Sequence, residues 1–345
     1  DMRPWLLPDG KGADVLVIGV QELVELGPMS MFLGTDGDEE RQTLLEKRVE
    51  SVLATTGGRY VKMCSFGMVG LALLTYVRGS LDPHVGEVFI DRVKTGMEGM
   101  GGNKGGLCLR FVLGRTSFCF VNVHLPSGAT AASERNEHMS EILTYAFQSI
   151  NRTGSIRPSK LGFRRDSVFA AAKHDLTVVF GDTNSRLEPS SSPKSGETMP
   201  LGPPEAWLLR DDLLLGKLSC LDALNFREGE VCFPPTYKYI VGTDQLSDKR
   251  CPAWCDRVLY RSQPMIVPGA PQPTFRKVDL MEYDSFGSLK RTSDHRPVAA
   301  LFGLEVGLGQ AAQIQGRAVV LQPLNREQVP NRPGKQHADD QCVAS

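Results

Sequence analysis

The sequence predicts a single α/β domain in which β-sheets are packed between helices. Three observations lead there. Short apolar, β-rich runs recur from residue 13 to about residue 305, charged segments with helical apolar spacing stand among them, and no linker-like stretch interrupts the series. The 345 residues, 41% of them hydrophobic, are enough for a core of that size.

ADVLVIGVQEL (13–23) is a compact apolar run that ends in Gln21 and Glu22, the pattern of a buried strand. EERQTLLEKRVESVL (39–53) carries its apolar residues at helical spacing beneath a charged surface. Residues 60–79 and 88–96 are β-rich, and GLCLRFVL (106–113) and SFCFVNVHL (117–125) flank the short turn GRT as adjacent strands. SERNEHMSEILTYAFQSI (133–150) is a second helix, with Ser133 placed as its N-cap. DLTVVFGD (175–182) is the next strand, Glu188–Pro204 a Ser/Pro/Gly-rich surface loop, and 204–218 a third helix. Strands and loops through VCFPPTYKYIVG, CPAWCDRVLY and SDHRPVAALFGLEV complete the ordered part. From about Gly307 the polar tail lacks apolar periodicity and reads as disordered.

Composition narrows the chemistry. A formal net charge of −1 gives no global basic bias, so an extended nucleic-acid track has little support and any anion site must be local. Eight Cys in so long a chain, with no visible secretory signal, are expected to be thiols in a reducing compartment. No apolar run approaches the roughly 20 residues of a membrane-spanning helix.

Four strand ends finish in polar clusters: Gln21-Glu22, Asn122-Val123-His124, Asp182-Thr183-Asn184 and Ser293-Asp294-His295-Arg296. Each alone reads as an ordinary turn. At one sheet edge together they supply carboxylates for a hard divalent cation, two imidazoles and orienting amides, an inventory that suits metal-assisted hydrolysis of a phosphate ester. Asp182 is then the acceptor of a water proton, Asn184 its support, and His295 a cationic contact to a phosphoryl oxygen. The run TGMEGMGGNKGG (95–106) is neither a Walker A loop nor a dinucleotide fingerprint; it is either a flexible hairpin loop or a backbone nest with Lys104 facing an anion. PPTYKY (234–239) and DKRCPAWCDR (248–257) add basic residues around aromatic ones, suited to holding further phosphates.

In this order, VIGVQEL, GGNKGG, FVNVHLPSG, GDTNSRL, FPPTYKY, RCPAWCDRVLY and SDHRPV closely resemble the catalytic domain of inositol polyphosphate 5-phosphatases, over roughly residues 5–305. The resemblance implies a four-layer α/β sandwich around two mixed β-sheets, the fold shared with exonuclease III-type endonucleases and neutral sphingomyelinases. Residues 1–305 are accordingly read as the catalytic domain and 306–345 as the tail. It also implies a Mg²⁺-dependent hydrolase attacking the 5-phosphate of phosphoinositides or soluble inositol polyphosphates by in-line water. Matched by motif, Glu22 is the Mg²⁺-binding glutamate and Asp294 lies near the metal. Asp182 and Asn184 activate and orient the water, His295 pairs with Asp256, and Asn122 and His124 face the phosphate with Lys104. Tyr237, Lys238 and Arg250 match the residues that hold the neighbouring 4-phosphate, and Arg257, from the same basic stretch, is read as a further substrate-binding residue. Apolar residues such as Phe66, Met68, Met97 and Met100 are read either as bilayer contacts or as ordinary core and loop positions.

Members of that family open with a Thr-Trp-Asn strand, whereas this chain opens at DMRPWLLPDG, so the first strand is expected to be absent from the sheet. The domain is therefore read as N-terminally incomplete, the sequence being truncated, since every later motif is intact, or else the protein is impaired. The rivals to an active 5-phosphatase are a catalytically impaired phosphoinositide-binding module and, on the shared scaffold, a phosphodiesterase of the endonuclease or sphingomyelinase type. The last residues, Cys342-Val343-Ala344-Ser345, fit a C-a-a-X box with Ser favouring farnesylation, so a cytoplasmic monomer held peripherally at membranes is expected.

Overall fold

The computed structural model describes residues 1–8, 10–23, 36–68, 70–95, 104–147, 171–188, 200, 202–265, 274–275, 277–308 and 318–320. Met97, Met100, most of the glycine run, most of the 188–204 loop, nearly all of the tail and Cys342 lie outside them.

Strand β3 (Leu71–Arg78) shows how the layers form. Its run LALLTYV is buried on both faces, and alternation of side chains divides it between two neighbours. Leu71, Leu73 and Val77 point to one core cluster, while Ala72, Leu74 and Tyr76 point to another. The second cluster is closed by Val49 and Leu53 of helix α2 (Asp36–Ala54), together with Leu6 and Leu7. β3 lies centrally between β1 (Val15–Val20) and β2 (Tyr60–Met68), antiparallel to both. The β-rich 60–79 segment therefore folds as two strands, reversed at Gly70, whose φ is +77°.

The larger sheet has seven strands, in the order β14-β4-β5-β6-β7-β9-β8. They are β4 (Val85–Lys94), β5 (Gly105–Leu113), β6 (Thr116–His124), β7 (Leu176–Asp182), β8 (Arg227–Glu228), β9 (Asp256–Ser262) and β14 (Ala318–Val320). Most pairs are antiparallel; β6–β7 and β14–β4 are parallel, so the sheet is mixed. One face meets the smaller sheet through Leu107, Leu109, Phe111, Phe118 and Val178 against Leu73 and Val77. There the rings of Phe111 and Phe118 stack with centroids 5.1 Å apart. The other face, with Val121, Val123, Val179 and Leu259, is covered by Met139, Ile142 and Leu143 of helix α3 (Ala132–Tyr145). The order helix, sheet, sheet, helix is the expected four-layer sandwich. Each fully buried Leu or Phe in these seams contributes about 1.5–3 kcal/mol, so the seams dominate the stability of the fold.

The structure also corrects the reading. Phe66 and Met68 are buried between the sheets and face no bilayer. Ser133 is not the N-cap of α3: Ala131 occupies that place, and the Arg135 amide closes the first turn on the Ala131 carbonyl. The 204–218 helix is short, with α4 at Pro204–Leu208 and α5 at Ser219–Ala223. Between them Asp211 accepts the Leu214 amide and Asp212 the Arg186 amide, side-chain bonds that compete with helix continuation. An antiparallel pair, β12 (Val278–Ser285) with β13 (Val298–Leu304), was not anticipated as two strands. Among the described residues β1 pairs only with β3, and β13 only with β12; the Trp5 indole N–H bridges to the Val298 carbonyl at 3.1 Å.

Arg257 is a structural residue. Its side chain is fully buried on the face of β9 opposite Asp256, with Nη2 2.6 Å from Glu228 and Nη1 2.9 Å from Asp211. Period-two alternation forces this: Asp256 and Arg257 cannot share a face. Removing the guanidinium would leave two buried carboxylates facing no cation, so Arg257→Ala is expected to lose roughly 3–5 kcal/mol in denaturant unfolding. A variant of normal stability with a raised KM would return Arg257 to the substrate site.

His174 is buried against Arg110. The guanidinium Nε–H donates to its Nε2 at 3.1 Å, while Nδ1–H meets the Ala171 carbonyl at 3.1 Å. Burial, with the Arg110 charge, pushes its pKa down from 6.5 to about 4. The unfolded chain takes up this proton below about pH 6.5, whereas the folded chain resists it until about pH 4. The stabilising contribution is therefore complete above pH 6.5 and is lost on acidification, by about 3 kcal/mol in full. The stability gap between wild type and His174→Gln, measured by urea unfolding, should narrow by about that amount between pH 7 and pH 4; a constant gap would exclude this titration.

Candidate active site

The site is assembled by register. Across the large sheet Gly105 pairs with His124, His124 with Asp182, and Asp182 with Asp256. The starts of β5 and β9 and the ends of β6 and β7 thus form one row at a single sheet edge, and Lys104 stands directly before it. Asn122, two residues before His124, lies on the same inward face, as alternation requires.

Asp182 and Asn184 form a closed polar turn. The Asn184 amide donates to Asp182 Oδ1 at 2.9 Å, and its side-chain Nδ2 donates to Asp182 Oδ2 at 3.1 Å and to the Leu125 carbonyl at 2.9 Å. Arg186 donates to Asn184 Oδ1 and lies 4.5 Å above the Tyr237 ring. Gly181 makes this geometry possible. Its φ is +121°, and a Cβ there would meet the Val123 carbonyl at 2.5 Å and Asn122 Oδ1 at 2.7 Å. Asn122 is itself fully buried, receiving Gln21 Nε2 at 2.5 Å and donating to the Ala72 carbonyl at 3.1 Å, so it ties the two sheets together beneath the site.

The second half comes from loops. His295 Nδ1 lies 2.8 Å from Asp256 Oδ2, and its ring leans against Tyr237 with centroids 4.7 Å apart. The Thr236 hydroxyl accepts the Asp256 amide, and its carbonyl accepts the Arg296 amide, which fixes 236–239 against 294–296. Lys238 Nζ pairs with Asp294 Oδ2 at 2.6 Å. On the other side Lys104 Nζ lies 2.5 Å from His124 Nε2. The same nitrogen is 3.4 Å from Asp182 and 3.8 Å from Glu22.

Charge is concentrated here. Burial pushes the Asp182 pKa up, but His124, His295 and Lys104 outweigh it and hold the carboxyl well below the usual range. Burial opposes the charged form of His295, yet Asp256, Asp182 and Asp294 lift its pKa to about 9, so the ring is an imidazolium at neutral pH. Burial pulls Lys104 down against the pull of Asp182 and Glu22. Asp294 is likewise raised by burial, but Lys238 and His295 bring it below its ordinary value.

The structure therefore brings Glu22, Lys104, Asn122, His124, Asp182, Asn184, Asp256 and His295 together, with Asp294, Lys238 and Tyr237 adjoining. Arg250 is exposed and acts on Lys238 through its charge. Arg257 is outside. The cluster 293–296 precedes β13 and does not end a strand. Arg186 and Gln21 take part although neither was singled out as a site residue; for Arg186 the signal was a cation two residues after Asn184 inside GDTNSRL.

Oxygen donors suit a hard cation. Glu22, at a φ of +52°, presents a carboxylate that is 65% exposed beside the buried Asp182. Among the described residues no three His, Cys, Asp or Glu side chains converge as a closed metal cage. Glu22 and Asp182 thus offer a donor set of the kind that holds a hard divalent cation together with water and substrate oxygens.

The type II inositol 1,4,5-trisphosphate 5-phosphatase of Mus musculus is 30% identical over 308 residues, 88% of this chain and 28% of that protein. The inositol-1,4,5-trisphosphate 5-phosphatase 1 of Schizosaccharomyces pombe is 33% identical over 320 residues, 87% of this chain and 25% of that protein. The chain thus spans about a quarter of the length of these relatives. A solved structure of the inositol polyphosphate 5-phosphatase domain of SPsynaptojanin, in complex with inositol (1,4)-bisphosphate and calcium ion, superposes with a TM-score of 0.62 at 28% identity, covering 88% of this chain and 80% of that one. Cimex nitrophorin, as a ferrous NO complex, superposes with a TM-score of 0.59 at 21% identity over 88% of this chain and 91% of that one, which shows the fold alone. The family model for endonuclease/exonuclease/phosphatase family 2 matches residues 1–301. With that match, and with inositol polyphosphate 5-phosphatases as its relatives, the chain belongs to endonuclease/exonuclease/phosphatase family 2.

Proposed function

We propose that this chain is a Mg²⁺-dependent phosphatase that removes the 5-phosphate from phosphoinositides, soluble inositol polyphosphates, or both. The observation that carries the reading is the row His124–Asp182–Asp256 with His295 on its last member. Such a row places an ionised acceptor, an imidazolium and further cations around one point, which is what attack of water on a phosphate monoester needs.

Asp182, ionised at neutral pH before the attack, orients the attacking water and takes its proton as the bond to phosphorus forms, and Asn184 holds both carboxylate oxygens in place. His295 has Nδ1 engaged by Asp256, which leaves Nε2–H for a phosphoryl oxygen. Asn122, buried beneath the row, positions that pocket, and His124 and Lys104 face the phosphate from the β6 side. Glu22, with Asp294 nearby, would hold Mg²⁺, whose chemistry is to neutralise charge as it builds on the leaving oxygen. Tyr237, Lys238 and Arg250 are assigned to the neighbouring 4-phosphate, with Asp294 as the partner Lys238 gives up when substrate binds. The family match ending at residue 301 supports a catalytic unit closing near 305. Cys342 is proposed as a farnesylation site that holds a cytoplasmic monomer at membranes.

Phosphate release from 4,5-bisphosphorylated and 3,4,5-trisphosphorylated inositol lipids and from inositol 1,4,5-trisphosphate, with Mg²⁺, is the direct test. Asp182→Ala should lower turnover at least about 100-fold; full activity in this variant removes the assigned base. Binding of such substrates with no release by wild type would favour the binding module, and cleavage of abasic DNA or sphingomyelin the phosphodiesterase. Lys238→Ala should erase the preference for a 4-phosphate, and an unchanged preference takes Lys238 out of the specificity site. In cells, Cys342→Ser should reduce membrane partitioning; unchanged partitioning excludes the anchor.

A further inference from the structure

Among the described residues, exposed apolar side chains stand beside the site on the turn that follows Tyr237 and Lys238. Ile240 and Val241 are 46% and 55% exposed. The turn is firmly built: the Thr243 amide closes on the Ile240 carbonyl at 3.0 Å, and the Ile240 amide on the Gln245 carbonyl at 2.9 Å. The Gly242 amide donates to the Lys290 carbonyl at 2.7 Å, which fixes the tip beside the 287–292 turn. That second turn, with α2, lines a cavity of about 630 Å³ bearing Lys47, Arg48, Lys290 and Arg291. Lys290 is paired with Asp244 at 2.5 Å, while Lys47, Arg48 and Arg291 have no carboxylate partner among the described residues. The acid lining the same cavity, Asp1, is taken by Arg3 at 2.6 Å. An apolar tip thus stands beside a basic face, and the chain runs from Arg291 directly to Asp294 and His295.

We propose that this surface docks the protein on an anionic bilayer, with Ile240 and Val241 entering the interface and the basic face meeting lipid phosphates. Exposed apolar side chains next to uncompensated cations match the two layers of such an interface, apolar below and anionic above. A purely electrostatic partner such as nucleic acid would leave the apolar tip unused. Docking there sets the mouth formed by Lys238 and His295 toward the headgroups. It deepens the reading of the site as a phosphoinositide phosphatase by assigning its membrane-facing side, and it replaces Phe66 and Met68 in that role.

The test is co-sedimentation of the full chain with vesicles of phosphatidylcholine alone or with added phosphatidylserine, containing no phosphorylated inositol lipid. Wild type should sediment only with the anionic vesicles, and less as salt is raised. Ile240→Ser/Val241→Ser and Lys47→Glu/Arg48→Glu should each lower partitioning about tenfold or more. Circular dichroism and release of phosphate from soluble inositol 1,4,5-trisphosphate should be unchanged in both. Failure of wild type to bind, equal binding to neutral vesicles, or wild-type partitioning by either double variant overturns the proposal. Soluble-substrate turnover without vesicle binding sinks the docking face alone. Vesicle binding lost in the variants, with no turnover of any substrate, upholds the face and sinks the phosphatase reading.

Discussion

The in-register alignment of four neighbouring strand ends is the constraint on which the rest of the structure depends. Gly105, His124, Asp182 and Asp256 are consecutive partners across the large sheet. Because side-chain period in a strand is two, a slip of one residue in any of these pairings would turn a catalytic candidate into the opposite seam. The apolar residues behind each end prevent that slip. Val178 faces the smaller sheet and Val179 faces α3, so β7 is held on both sides and Asp182 has one direction left to it.

Holding so much charge at a sheet edge is unfavourable in isolation, and the structure answers with pairing. Asp256 is matched by His295, Asp294 by Lys238, and Asp182 by the cations around it. On the opposite face of β9, Arg257 with Glu228 and Asp211 anchors β8, β9 and the turn after α4. The two networks differ in what they expose. The second is sealed, with Arg257 and Asp211 at 0%, whereas His295 and Asp294 remain 25% and 31% accessible. A group proposed to meet a ligand has to retain that access, which separates the proposed site pairs from the sealed structural network.

Much of this was legible in the sequence where the signal was local. The strand ending in Asp182 announced itself by an apolar run breaking into Gly-Asp-Thr-Asn, and the resemblance tied His295 to Asp256. Long-range partners were less legible. Arg257 looked like a phosphate ligand because it sits in a basic, aromatic stretch, and only the side-chain alternation that starts at Asp256 sends it to the other face. The 204–218 segment looked helical because its leucines are frequent, but the sequence gives no sign that Asp211 and Asp212 are claimed by Arg257 and Arg135. Phe66 and Met68 were ambiguous because an apolar residue reads alike whether a second sheet or a lipid covers it. The nitrophorin likeness carries the same lesson at the level of the fold: a shared sandwich does not fix a chemistry, and the site has to.

The central claim is that one point in this structure receives both a divalent cation and a phosphate. Crystals grown with Mn²⁺ and an inositol bisphosphate, measured for anomalous scattering, locate both. The account requires the metal peak within coordination distance of Glu22 and a phosphate between it and His295 Nε2. A metal bound away from Glu22, or a phosphate seated out of reach of His295 and Asp182, would contradict it.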